Sequence, residues 1–107
     1  MLAVRAKISR FVDPSFPGWV ECRVVDALGH EHVFVEKVPV LTTDYCDEAS
    51  SYPKDGFIAC IEVGRHSSDD APQSVRIDTE RPWGVVSTAG KSQFDVLPEQ
   101  LCQLPQS

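Results

Sequence analysis

The chain has 107 residues, 42% of them hydrophobic and 24% charged, with a formal net charge of −6. One domain over residues 1–107 follows, long enough to bury about two-thirds of its unfolded surface without metal or disulfide staples. The charge argues against nucleic acid as a partner, because phosphate binding needs clustered Lys and Arg. No run of about 18 apolar residues is present to span a membrane.

Arg5 and Lys7 fall where a signal peptide would place its apolar segment, so a cytoplasmic location is expected. The cysteines Cys22, Cys46, Cys60 and Cys102 contain no Cys-x-x-Cys pair. Neither a metal knuckle nor a disulfide frame is expected from that spacing, and the thiols should stay reduced. No cofactor is expected.

In chain order, Leu2, Val4, Ala6 and Ile8 alternate with Ala3, Arg5, Lys7 and Ser9, the period of a half-buried strand. Asp13-Pro14-Ser15-Phe16-Pro17-Gly18 then reads as a turn, with Phe16 expected to tuck beneath it. Trp19 to Asp26 and His30 to Val38 form the best hairpin signal. Asp26-Ala27-Leu28-Gly29 suits a type I turn with glycine in the left-handed position. That loop sets Val24 opposite His32, Cys22 opposite Phe34 and Val20 opposite Glu36, which makes Val20, Cys22, Val24 and Phe34 the expected core face. Pro39 ends the second arm.

Thr42 to Asp55 is the longest irregular segment, with room for one helical turn around Asp44 to Ala49. Phe57 to Val63 is almost continuously apolar and predicts an innermost strand buried on both faces. Gly64 to Ser74 is polar and turn-rich and reads as a disordered tip.

The densest signal is the corner from Val75 to Ser87. Val75, Ile77 and Thr79 alternate with Arg76 and Asp78, Pro82 interrupts the ladder, and Gly84 precedes the β-prone Val85-Val86. Trp83 is expected to lid the core first and to anchor a partner second, with Arg81, Asp78 and Glu80 as its contact flank. Thr88 to Ser92 is a turn and Gln93 to Leu97 a last strand. Pro98 sits at a plausible first helical position, and Leu97, Leu101 and Leu104 have helical spacing, so a short C-terminal helix is allowed.

No stretch spells out a reaction. His30 and His32 share a strand face as two metal ligands would, but two ligands are not a site and the third would have to be Glu36 or Cys22. Cys46 is the most exposed thiol by context, yet Asp44, Asp47 and Glu48 beside it disfavour a thiolate. An enzyme is therefore not expected, and a small metal-binding protein or enzyme using His30 and His32 is the lesser alternative. Asp44, Asp47, Glu48 and Asp55 in one loop, with Asp69 and Asp70 in another, would focus negative potential toward a basic protein partner.

Pro17-Gly18-Trp19-Val20-Glu21-Cys22, Phe34-Val35-Glu36-Lys37-Val38-Pro39-Val40, Tyr52-Pro53 to Cys60 and Asp78-Thr79-Glu80-Arg81-Pro82-Trp83-Gly84 carry a resemblance over the whole chain. It resembles a family of small, uncharacterised bacterial single-domain proteins. The resemblance implies a bacterial, stand-alone domain and no particular activity or site.

The fold class expected is all-β, a small antiparallel barrel of about six or seven strands, with a two-sheet β-sandwich as the alternative. The function expected is non-enzymatic binding through a protein surface, in one sharper version as an immunity-type protein that masks a basic toxin.

Overall fold

The alternation of apolar and polar residues is realised as eight strands among the residues described by the computed structural model, which are 1–43, 46–68 and 71–104. They are β1 (Leu2–Asp13), β2 (Trp19–Val25), β3 (Glu31–Lys37), β4 (Lys54–Ala59), β5 (Ile61–Ser68), β6 (Ala71–Asp78), β7 (Gln93–Val96) and β8 (Leu101–Gln103). One helical turn, α1 (Val38–Leu41), follows β3, and a 3₁₀ turn, Pro98–Gln100, precedes β8.

The strands form two antiparallel sheets. The larger runs β3-β2-β1-β4, with β8 pairing the start of β1, and the smaller runs β5-β6-β7. The all-β expectation holds, but the barrel does not close, and the two-sheet alternative is the one that fits. The reason lies at Cys60. Its N–H donates to the Leu2 carbonyl at 3.0 Å, and there the apolar run Phe57 to Val63 leaves the larger sheet and enters the smaller one as two separate strands. The expected innermost strand is thus an edge of the larger sheet over β4, and Val63, beyond the break, is exposed.

The β2–β3 hairpin has the predicted register, with Val20 opposite Glu36, Cys22 opposite Phe34 and Val24 opposite His32. Gly29 closes its turn at φ +83°, a left-handed conformation that residues with a side chain rarely adopt. The inward face of the larger sheet, Val4, Ala6, Ile8, Val20, Cys22, Phe34 and Ile58, shares one core with Val75, Ile77, Phe94 and Val96. Each of the Val, Ile and Phe side chains among them contributes about 1.5–3 kcal/mol by leaving water.

Three further expectations are corrected. The C-terminal helix is confined to the 3₁₀ turn Pro98–Gln100: Leu101 resumes an extended course, and Leu2, Ala3 and Val4 pair with Gln103, Cys102 and Leu101. The edge of β1 ahead of β2 has free ladder groups, and pairing them outweighs the weak helical spacing of three leucines. Gly64 to Ser74 is largely ordered as the β5–β6 hairpin, with 69 and 70 outside the described residues. A helical turn forms at Val38–Leu41, because Pro39 suits the first turn and Val38 and Leu41 reach the core from it; of the turn expected around Asp44 to Ala49, 46–49 are not helical and 44 and 45 lie outside the described residues.

Candidate functional site

At the end of the molecule where β1 passes to β2, Asp13 accepts the Ser15 N–H at 2.8 Å and Gly18 donates to the Ser15 carbonyl at 2.7 Å. Phe16 and Pro17 therefore occupy the central positions of a tight turn, whose side chains project away from the chain. Phe16 is 98% exposed. It does not tuck beneath the turn as expected; the core under the turn is already filled by Val38 and by the partly buried Phe11.

The turn borders a cleft of about 250 Å³ whose other wall is Cys46, Asp47 and Glu48. The sequence predicted these acids as contacts but had no means of placing Phe16 beside them. The wall is built around Asp47. Its carboxylate accepts the Ala49 N–H at 2.9 Å and the Ser50 hydroxyl at 3.1 Å, and its carbonyl accepts the Tyr52 hydroxyl at 2.7 Å. Burial pushes the Tyr52 phenol above its ordinary pKa, so that hydroxyl remains a donor. Asp47 is thus half-buried and occupied in shaping the loop, while Glu48 is exposed. Asp44 lies outside the described residues. Cys46 is buried in the core, contrary to the expected exposed thiol; turning it inward lets its small apolar side chain fill space that the neighbouring acids cannot.

The corner Val75 to Ser87 is assembled differently from its sequence reading. Thr79, fully buried, donates its hydroxyl to the Val85 carbonyl at 2.7 Å, and Val85 donates its N–H to the Thr79 carbonyl at 3.1 Å. That exchange drives Val85 into the core and leaves Trp83 44% exposed. Trp83 is no lid. Arg81 and Glu80 are exposed as expected of contact residues, whereas Asp78 is buried. Its carboxylate caps the Glu80 N–H at 2.9 Å, a bond that, with help from Ser92, Gln93 and Arg81, outweighs burial and holds its pKa below the usual value.

The two histidines meet a carboxylate rather than a vacant ligand sphere. His32 Nε2 donates to Asp26 Oδ2 at 2.7 Å, and His30 Nδ1 lies 3.9 Å from the same oxygen. His32 is also stacked on Phe94, ring centres 4.2 Å apart. Glu36 and Cys22 stay along the strand from this pair, opposite Val20 and Phe34. No group of three or more His, Cys, Asp or Glu residues able to hold a metal occurs among the described residues.

No helix among the described residues is long and apolar enough to cross a membrane. No protein-family model, curated protein or solved structure matches the chain.

Proposed function

We propose that the protein is a non-enzymatic binding domain that engages a basic protein partner through the cleft beside Phe16. The observation that carries this reading is the juxtaposition of a fully exposed phenylalanine with the acidic wall of Asp47 and Glu48. Large aromatic side chains dominate interface energetics, and surrounding charge of one sign steers an oppositely charged partner and sets register. Phe11, Pro14 and Pro17 supply the rest of the apolar lining. The four free thiols suit a reducing compartment such as a bacterial cytoplasm. In its narrower form the partner is a basic toxin that the acidic rim masks.

The test is affinity purification with the wild-type protein beside Phe16→Ser and Glu48→Lys, two exposed substitutions that spare the core. A basic partner should be retained by the wild type, and either variant should weaken it by about tenfold or more. Added salt should slow its association. A partner held equally by all three proteins, with an association rate indifferent to ionic strength, overturns the reading.

A further inference from the structure

The outer face of the larger sheet carries a second feature, built from β1, β2 and β4. Strand registers place Phe57, Arg5 and Asp55, Lys7 as neighbours across β4 and β1, Lys7 opposite Arg23 across β1 and β2, and Val25 opposite Glu31 across β2 and β3. Three cations of an acidic protein therefore share one small patch. Side chains directly opposite on adjacent antiparallel strands stand about 5 Å apart, and like charges so placed repel. The sheet nonetheless sets Lys7 against Arg23.

Part of that repulsion is offset locally. Lys7 pairs with Asp55, and Arg23 pairs with Glu21 and Glu31. Arg5 stands on the same face as Lys7 and makes no hydrogen bond or close ion pair among the described residues; its charge reaches Asp55 only at longer range.

Arg5, Lys7, Arg23, Val25, Glu31 and Asp55 line an open groove of about 770 Å³, within the range of small-molecule sites. One end is closed by Gln100, whose amide donates to the Val25 carbonyl at 2.7 Å and accepts the Leu97 N–H at 2.8 Å. Pro53 and Gly56 line the groove on the β4 side. Val25, 51% exposed, supplies an apolar surface beside Arg5. The groove exists because β2 ends at Val25 and β8 begins only at Leu101, which leaves the β1 edge uncovered between them.

We propose that this groove binds a small organic anion, with its acidic head against Arg5 and the Lys7–Arg23 pair and its apolar body along Val25. A guanidinium without a direct partner is suited to take a carboxylate or phosphate by two parallel hydrogen bonds. The anion also relieves the Lys7–Arg23 repulsion, and the apolar wall selects an amphipathic ligand over a bare inorganic ion.

Isothermal titration with decanoate, decanol and inorganic phosphate separates these parts. Decanoate should bind one to one and about tenfold more tightly than decanol or phosphate. Arg5→Gln should weaken decanoate about tenfold while melting at the wild-type temperature, and Val25→Asp, a second exposed change, should weaken it at least as much. Decanoate that fails to saturate at about 1 mM, that binds no better than decanol or phosphate, or that ignores both substitutions overturns the proposal.

Discussion

His32 donates through Nε2 to the carboxylate of Asp26 across 2.7 Å, with both side chains buried, and so ties the second arm of the β2–β3 hairpin to the turn that generates it. The same carboxylate accepts the backbone N–H groups of Leu28 and His30, each at 2.9 Å. The turn is also stitched to the other sheet, because Ala27 donates its N–H to the Asp95 carbonyl at 2.8 Å and His32 stacks on Phe94. Asp26 thus closes the turn and docks the sheets at once.

Replacement of Asp26 by asparagine should therefore destabilise the domain by about 1–3 kcal/mol, since the amide that replaces Oδ2 cannot accept the His32 N–H and the charge-assisted bond is lost. Thermal unfolding at neutral pH measures this. Burial acts to raise the Asp26 pKa, but the bonds from His32, His30 and Leu28 prevail and hold it below the usual carboxylate value. A depressed folded pKa gives stability that is present above the unfolded value and lost as pH falls through the folded one. The difference between wild type and Asp26→Asn should accordingly shrink as pH is lowered from about 5 to about 2.

Gly56 is required by space rather than by conformation. A Cβ at that position would lie 3.0 Å from Ile8 Cδ1 and 3.0 Å from the Leu41 carbonyl oxygen, where α1 crosses β4. The isoleucine end can shift, but the Leu41 oxygen can move only with the chain at the end of α1. Gly56→Ala should cost about 1–3 kcal/mol, read as a lower urea midpoint with an unchanged slope.

The corner offers a paired comparison. Trp83 is 44% exposed and Val85 is fully buried, so the larger side chain should matter less for stability. Trp83→Ala should change the unfolding free energy by less than about 1 kcal/mol, whereas Val85→Ala should cost about 2 kcal/mol through lost burial and the cavity left behind. A Trp83→Ala loss larger than that of Val85→Ala would contradict the placement of both.

Thiol reactivity should follow depth. Burial, with the nearby Glu36 and Glu21 charges, pushes the Cys22 thiol up to about 12, and burial, with Cys102 nearby, does the same for Cys60. Cys46 is buried as well, and Cys102 alone is partly exposed. An aromatic disulfide reagent at about pH 8 should label Cys102 first and reach the other three only after denaturant is added.

The period-two pattern along Leu2 to Ile8 and Val75 to Thr79 was enough to specify strands and their inward faces, because alternation needs no knowledge of what lies opposite. The hairpin register was equally legible, since Asp26-Ala27-Leu28-Gly29 fixes the loop length and hence every pair from Val25–Glu31 to Val20–Glu36. The acidic residues Asp47 and Glu48 were legible as charge but not as a wall, for their neighbour Phe16 lies far back along the chain.

What only the tertiary structure decided were choices between competing partners. An apolar run such as Phe57 to Val63 satisfies one buried strand or two short ones equally well, and the hydrogen bond from Cys60 to Leu2 selects the second. Leu101 to Leu104 satisfies a helix or an edge strand, and the unpaired start of β1 selects the strand. Trp83 and Val85 compete for one place in the core, which the reciprocal bonds between Thr79 and Val85 award to the smaller residue. Local pattern reports what each segment tolerates; which unsatisfied backbone groups it meets is set by chain that is remote in sequence.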